Sequence, residues 1–156
     1  DSAQLYSLLP MEEKGSVVYD LGSGAGFPGM VLAIMGRTDI VLCESNKKKC
    51  NFLEDVKEQT HTKVIIDNIR AELLPAHSAN AVIARALKPL SGLLKIAAPL
   101  IKRKGICVFP KGVNWKKELI LAEKFYKIEY DLVKSSTSEE SFIFIINSIE
   151  KKYAIK

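Results

Sequence analysis

The sequence contains few of the side chains that bind metals or form disulfides. Its two histidines, His61 and His77, lie in polar connecting segments, and its three cysteines, Cys43, Cys50 and Cys107, fall in predicted strands or on a helix face. The number of cysteines is odd and no two have the C-x-x-C spacing, so we expect reduced core residues rather than ligands. Because the carboxylates show no clustered spacing either, the sequence predicts no metal site.

The sequence also lacks a long apolar run. Its longest runs, such as residues 142–146, are far shorter than the roughly 20 residues that span a membrane. Asp1 does not begin a basic and apolar segment of the secretory kind, so we expect a soluble, cytoplasmic protein that does not contact a membrane. The 156 residues are 47% hydrophobic and 26% charged. We expect a chain of this length to form one domain, residues 1–156, that is stable without disulfides or a structural metal.

Negative charge is in the minority. The net charge is +5 at pH 7, and the excess lies in four basic runs, at residues 47–49, 102–104, 116–117 and 151–152. Clustered lysines indicate an anionic partner. For any single run, a solvated face remains an equally good interpretation.

The chain is organised around residues 17–29, Val-Val-Tyr-Asp-Leu-Gly-Ser-Gly-Ala-Gly-Phe-Pro-Gly. A β-prone run ends near Asp20 and is followed by four alternating glycines, a pattern that predicts a strand, a glycine loop and the start of a helix. Glycine adopts backbone conformations forbidden to other residues, and without a Cβ it lets a ligand lie on the main chain. We expect a loop that cradles a cofactor.

Two classes of cofactor use such a loop. Gly24, Gly26 and Gly29 match the dinucleotide spacing G-x-G-x-x-G, but Asp20 would bring a carboxylate near a pyrophosphate and Pro28 removes an N–H donor. S-adenosylmethionine carries an amine, a sulfonium and an adenosine but no phosphate, so the pattern favours it over NAD. NAD and a glycine turn without a ligand remain as alternatives.

A second acid supports a cofactor site. Glu44 closes the apolar run 39–44, about 20 residues after the glycine loop begins. At that distance, an acid at the end of the next strand accepts hydrogen bonds from ribose hydroxyls. The two signals reinforce each other because each predicts the position of the other.

The rest of the chain alternates between predicted strands and helices. Apolar runs predict strands at residues 17–20, 39–44, 63–66, 81–84 and 106–109. Helical spacing predicts helices at residues 2–9, 30–35, 46–59, 90–101 and 115–122, with Pro99 kinking the fourth. Two strands then follow in succession, at residues 128–132 and 142–146. We therefore predict an α/β fold with a Rossmann-like, mainly parallel sheet and an antiparallel last strand, as in class I methyltransferases.

Several motifs together resemble one known family. They are residues 20–29, Glu44-Ser45 with Lys48-Lys49 and Phe52-Leu53, Arg70-Ala71-Glu72, Ala84-Arg85-Ala86, and Lys111-Gly112. With these motifs the chain resembles the bacterial small-subunit (16S) ribosomal RNA guanine-N7 methyltransferases, also called RsmG or glucose-inhibited division protein B. The ending Gly-Phe-Pro-Gly of the first motif is far more specific than the glycines alone.

The resemblance implies an activity, a cofactor and a partner. It implies transfer of a methyl group from S-adenosylmethionine to N7 of a guanine, with ribosomal RNA or the small ribosomal subunit as the partner. It also implies a single methyltransferase domain, and family members carry further helices ahead of the position of Asp1 that are not part of this sequence.

The resemblance and the motif spacing together give a set of expected site residues. Those expected at the cofactor are Asp20, Gly22, Gly24, Gly26, Phe27, Glu44, Ala71, Glu72 and Arg85. Arg85 would also reach the substrate and position it, and the resemblance implies that Lys48, Arg70 and Lys111 contact RNA phosphates. An ion pair with Glu72 remains an alternative for Arg85, and a solvated loop position remains one for Lys111.

Two other functions stay open at this point. One is a methyltransferase that acts on a small molecule or a protein, which the basic runs disfavour. The other is a non-catalytic nucleotide-binding module, supported by the literal G-x-G-x-x-G. Binding of NAD without binding of S-adenosylmethionine would select the module.

Overall fold

The computed structural model describes residues 2–85 and 87–152, and these form one seven-stranded sheet in the order β3-β2-β1-β4-β5-β7-β6. The strands are β1 Val18–Leu21, β2 Ile40–Cys43, β3 Ile65–Asp67, β4 Ala79–Ile83, β5 Ile101–Lys111, β6 Tyr126–Lys134 and β7 Phe142–Lys151. Strands β1 to β5 pair in parallel, whereas β7 lies antiparallel between β5 and β6. The predicted fold, mainly parallel with an antiparallel last strand, is confirmed.

Helices cover both faces of this sheet. They are α1 Gly29–Ile34, α2 Lys47–Thr60, α3 Leu90–Ala97 and α4 Trp115–Glu123, with 3-10 helices at Ser2–Leu8 and Ala71–Leu73. Asn46 caps α2, because its side-chain Oδ1 accepts a hydrogen bond of 3.1 Å from the Lys49 N–H. None of the described helices is long and apolar enough to cross a bilayer.

Strand β1 lies in the middle of the core and sends alternate side chains to opposite faces. Tyr19 and Leu21 pack into the cluster that contains α3, whereas Val18 packs into the cluster that contains Met30 of α1 and Leu53 of α2. Asp20 shares the face of Val18. Its carboxylate is therefore directed into an apolar layer, beneath the start of α1.

The structure corrects the prediction for residues 90–101. Helix α3 ends at Ala97, two residues before Pro99, because proline has no N–H and cannot continue the helix. Ile101 instead pairs with Ala79 and begins β5, so this strand is longer than the predicted 106–109. Between Ile101 and Ile106, five steps along β5 oppose two steps along β4, from Ala79 to Ala81. The basic run 102–104 lies in the resulting bulge.

Candidate active site

The loop between β1 and α1 depends on its glycines. Gly22, Gly24 and Gly26 have positive φ angles of 65°, 54° and 100°, a region that side chains with a Cβ rarely adopt. The N–H groups of Gly22 and Ser23 donate to the Cys43 carbonyl oxygen at 2.8 and 3.2 Å. The loop thus lies across the carboxyl ends of β1 and β2, where open α/β sheets bind ligands.

Asp20 lies under this loop and is fully buried. Its Oδ2 accepts a hydrogen bond of 2.8 Å from the Gly29 N–H, the first residue of α1. Oδ1 has no hydrogen-bond partner in the part of the chain that the structure describes. Burial raises the pKa of Asp20 to about 8. Since Oδ1 accepts no hydrogen bond among the described residues and Oδ2 accepts one, the carboxyl group keeps acceptor capacity beneath the loop.

Glu44 joins the glycine loop to the start of α2. Its Oε1 accepts a hydrogen bond of 2.9 Å from the Gly24 N–H, and its Oε2 accepts one of 2.8 Å from the Asn46 N–H. The side chain is buried. Because a carboxylate has about four acceptor positions, these two bonds leave capacity for the hydroxyls of a ribose.

A cavity of about 210 Å³ lies beside the loop. Its lining residues come from the carboxyl ends of β1 and β2, from the segments after β3 and β4, and from α3: Gly22, Cys43, Ser45, Ile69, Arg70, Ala71, Glu72, Leu87, Lys88 and Ile96. The fold thus brings together four of the predicted site residues, namely Gly22, Arg70, Ala71 and Glu72. Phe27 is not among the described residues that line this cavity, and its side chain is half exposed.

A larger cavity of about 500 Å³ adjoins the smaller one. Arg85 lines this larger cavity, together with Gln4 and with residues of the β6–β7 loop such as Ser138. Leu87 and Lys88 line both cavities and form a common wall between them. Leu87 was not among the predicted site residues, because it belongs to no motif. The sequence could have indicated it only by its position shortly after β4, between Arg85 and Pro89.

Gly22 and Leu87 approach each other closely at this wall. A Cβ added at Gly22 would lie only 2.6 Å from Leu87 Cδ1, well inside the contact distance of two carbons. The missing Cβ therefore lets the Leu87 side chain lie on the glycine loop. The same absence leaves the main chain of Gly22 open to the smaller cavity.

Lys111 is the predicted site residue whose surroundings differ most from expectation. Only 8% of the residue is exposed, its Nζ donates to the Lys88 carbonyl oxygen at 2.7 Å, and it forms an ion pair of 3.0 Å with Glu118 Oε1. The same Oε1 accepts a hydrogen bond of 2.8 Å from the Leu90 N–H. This network ties the end of β5 to the segment after β4, and Lys111 also lines the larger cavity.

Lys48 and Arg70 have the exposure that a phosphate contact requires. Lys48 is exposed in the first turn of α2, near the Asn46 cap. Arg70 is exposed immediately before the second 3-10 helix and lines the smaller cavity. Their side chains lie on segments that follow β2 and β3, at the same end of the sheet as both cavities.

We predict that Gly22→Ala weakens binding of S-adenosylhomocysteine, the demethylated product of the expected cofactor, because the new Cβ displaces Leu87 and narrows the smaller cavity. A positive φ angle costs a non-glycine residue about 1–2 kcal/mol, so the free energy of unfolding should also fall by about that amount. Gly15→Ala is the matched control, since Gly15 has a φ of 81° and no heavy atom within 4 Å of its added Cβ. Calorimetric titration and urea unfolding measure both effects; equal binding by the two variants would contradict the prediction.

We also predict a pH dependence of stability that depends on Asp20. Its pKa rises from the ordinary value of 3.8 to about 8 in the folded protein, so between about pH 4 and pH 8 the native state holds a proton that the unfolded state releases. Raising the pH therefore favours unfolding. Asp20→Asn removes this titration and keeps an acceptor for Gly29. In urea unfolding at pH 5 and pH 8, wild type should lose more stability than Asp20→Asn, and parallel losses would refute the assignment.

Comparison with protein families identifies the chain. A family model described as GidB, rRNA small subunit methyltransferase G, matches residues 1–142. The protein named ribosomal RNA small subunit methyltransferase G from Rhodospirillum centenum is 42% identical over 149 residues, which cover 96% of this chain and 68% of that protein. Its namesake from Paramagnetospirillum magneticum is 40% identical over 151 residues, covering 97% of this chain and 73% of that protein.

Solved structures share the fold at low sequence identity. A SAM-dependent methyltransferase from Aquifex aeolicus superposes with a TM-score of 0.71 at 15% identity and covers 94% of this chain and 88% of its own. TYW2 of M. jannaschii, solved in complex with AdoMet, superposes with a TM-score of 0.68 at 17% identity and covers 97% of this chain and 74% of its own. The sequence relatives and the family model together show that the chain belongs to the GidB family, rRNA small subunit methyltransferase G, as its motifs predicted.

Proposed function

We propose that this methyltransferase transfers the methyl group of S-adenosylmethionine to N7 of a guanine in small-subunit (16S) ribosomal RNA. The observation that carries the proposal is the pair of adjacent cavities that share the wall of Leu87 and Lys88. The smaller cavity would hold the cofactor and the larger one the target base. The names of the curated relatives support an RNA substrate. We propose that the protein acts on this substrate in the cytoplasm, and that residues 1–156 form one methyltransferase domain.

We assign the adenosine part of S-adenosylmethionine to the smaller cavity. Its volume of about 210 Å³ lies below the roughly 300–1,000 Å³ of pockets that enclose whole ligands, so the methionine part would extend along the glycine loop. Glu44 has acceptor capacity for the ribose hydroxyls, and the unpartnered Oδ1 of Asp20 lies buried at the loop. The proposed cofactor residues are Asp20, Gly22, Gly24, Gly26, Phe27, Glu44, Ala71, Glu72 and Arg85.

The chemistry requires positioning rather than a base. Bound S-adenosylmethionine supplies a methyl group on a positively charged sulfur. Guanine N7 presents a lone pair and no proton, so no side chain has to remove one, and we assign no general base. Holding two reactants in near-attack geometry can supply about 7–11 kcal/mol of the barrier. The protein's contribution is therefore to orient the base and to exclude water.

We assign to Arg85 the role of orienting the guanine. It is the second residue after β4 and lines the larger cavity, and arginine recognises guanine by donating hydrogen bonds to O6 and N7. Since N7 must stay free to accept the methyl group, we propose that the guanidinium donates to O6. Leu87 supplies an apolar surface between the cavities, which would keep water away from the reacting atoms.

Side chains from the end of β5 and from α4 bind the backbone that follows Arg85 and Leu87. Lys111 and Glu118 bind the backbone of Lys88 and Leu90, so we propose a positioning role for Lys111 instead of a phosphate contact. Lys48 and Arg70, which are exposed, remain the proposed contacts to RNA phosphates. These contacts would fix the RNA over the cavities without reading its sequence.

The proposal is tested by methyl transfer with wild type and Arg85→Ala. Wild type should transfer labelled methyl groups to 16S ribosomal RNA or small subunits, at a base that becomes sensitive to N7-specific strand cleavage. A hydrogen bond that involves a charged group contributes about 1.5–3 kcal/mol, so removing Arg85 should lower kcat/KM by roughly 10- to 150-fold. Affinity for S-adenosylhomocysteine, measured by calorimetry, should fall much less than kcat/KM does, because Arg85 is only one of the proposed cofactor residues.

The controls distinguish the competing functions. Arg85→Lys keeps the charge and should recover part of the activity. Equal loss of methylation and of S-adenosylhomocysteine binding in Arg85→Ala would show that Arg85 serves the cofactor. Binding of NAD without S-adenosylhomocysteine would select a nucleotide-binding module, and transfer to a protein or a small molecule but not to RNA would overturn the substrate class.

A second measurement tests the phosphate contacts. Each phosphate contact contributes a slope of roughly 0.7–0.9 to the dependence of log affinity on log salt. Lys48→Ala and Arg70→Ala should each make this slope shallower by about that amount. Lys111→Ala should leave the slope unchanged and lower the melting temperature, because it breaks a buried ion pair. The matched control is Lys63→Ala, an exposed lysine outside both cavities; an unchanged slope removes a residue from the interface.

A further inference from the structure

A third cavity, of about 370 Å³, lies at the opposite end of the β5–β7 pair. The start of β5 supplies Lys102, Arg103 and Lys104 to its lining, and the end of β7 supplies Asn147 and Ser148. His77, which precedes β4, completes the polar part of the lining. The basic run 102–104, which the proposed function does not use, thus borders a concave surface.

The charge of this cavity is of one sign. None of the described residues that line it is acidic, and no acidic side chain pairs with Arg103 or Lys104 within the described part of the chain. Lys102 donates to Asn80 Oδ1 at 3.1 Å, so it is partly held by the fold. Arg103 and Lys104 are exposed and keep their donors available to an anion.

The backbone at Lys104 is unusual for a lysine. Its φ angle is 68°, in the left-handed region that glycine and asparagine adopt far more readily. Conformations of this kind are unfavourable and cluster at functional sites. The bulge in β5 therefore places a lysine where backbone preference alone favours another residue, next to a second unpaired cation.

The third cavity and the larger cavity at the active site are lined by the same two strands, β5 and β7. Pro110 at the end of β5 and Ile143 at the start of β7 line the larger cavity, whereas the third cavity lies at the start of β5 and the end of β7. Cys107 and Ile146 line the third cavity, three residues along the strands from Pro110 and Ile143. A strand rises about 3.3 Å per residue, so the near edges of the two cavities lie about 10 Å apart. A polyanion bound at the active site can reach this far along the protein.

We propose that the third cavity is a second binding site for phosphate groups of the RNA backbone, remote from the methyl acceptor. Lysine and arginine donors with neutral amide and hydroxyl groups, and without a carboxylate, match the chemistry of phosphate oxygens. This inference rests on the proposed function, since it assumes an RNA that already occupies the active site. An acidic protein surface is the competing ligand.

The test removes both available cations without disturbing the turn. In the double variant Arg103→Gln/Lys104→Asn, asparagine tolerates the positive φ angle that Lys104 adopts. Binding of fluorescent 16S RNA fragments is measured by anisotropy over a series of salt concentrations. If each cation contacts one phosphate of single-stranded RNA, the salt slope should become shallower by about 1.4. In methylation assays KM for RNA should rise while kcat stays the same, and affinity for S-adenosylhomocysteine should not change.

A control variant and a second probe complete the design. Lys14→Gln/Lys63→Gln removes the same charge from exposed positions outside the cavity and should leave the slope of wild type unchanged. A slope that is equal in wild type and in Arg103→Gln/Lys104→Asn would overturn the inference, as would a loss of polyglutamate binding with RNA binding intact. Failure of wild type to bind RNA at all would instead refute the proposed function, and the two failures are thereby distinguished.

Discussion

The buried hydrogen bond from the Gly29 N–H to the Asp20 carboxylate holds the glycine loop on the sheet. It joins the end of β1 to the first residue of α1 at 2.8 Å, and a Cβ at Gly29 would lie only 2.5 Å from Asp20 Oδ2. The bond therefore requires both a side-chain acceptor at the strand end and a glycine at the helix start. Glu44 reinforces the arrangement from β2 by accepting from Gly24. The position of the glycine loop beside the smaller cavity depends on these two carboxyl groups.

The segment after β4 depends on the loop in turn. Leu87 packs on Gly22 from one side, and the ion pair of Lys111 with Glu118 binds the backbone of Lys88 and Leu90 from the other. The wall between the two cavities is thus fixed between β1 and β5. A reaction that relies on orientation needs such a fixed wall, because small displacements of the reacting atoms cost much of the rate.

The sequence predicted the features that depend on local chemistry. Glu44 could be placed because strand periodicity and the spacing of the glycine loop are both readable from neighbouring residues. The start of β5 was missed because pairing of Ile101 with Ala79 is non-local and overrides the helical spacing before Pro99. The surroundings of Lys111 were missed for the same reason: the sequence shows a lysine in a loop, but its partners lie on α4 and on the segment after β4.

The raised pKa of Asp20 does not make this residue a general base. A carboxyl group with a pKa of about 8 near a candidate site suggests a general base. Asp20 is nevertheless fully enclosed beneath the loop, and the proposed acceptor, guanine N7, has no proton to give up. The pKa of Asp20 is raised because its side chain lies on the same face of β1 as Val18, and this face is buried in an apolar layer. Asp20 therefore holds the glycine loop in place, and in the proposed reaction the rate depends on how the reactants are oriented rather than on a base.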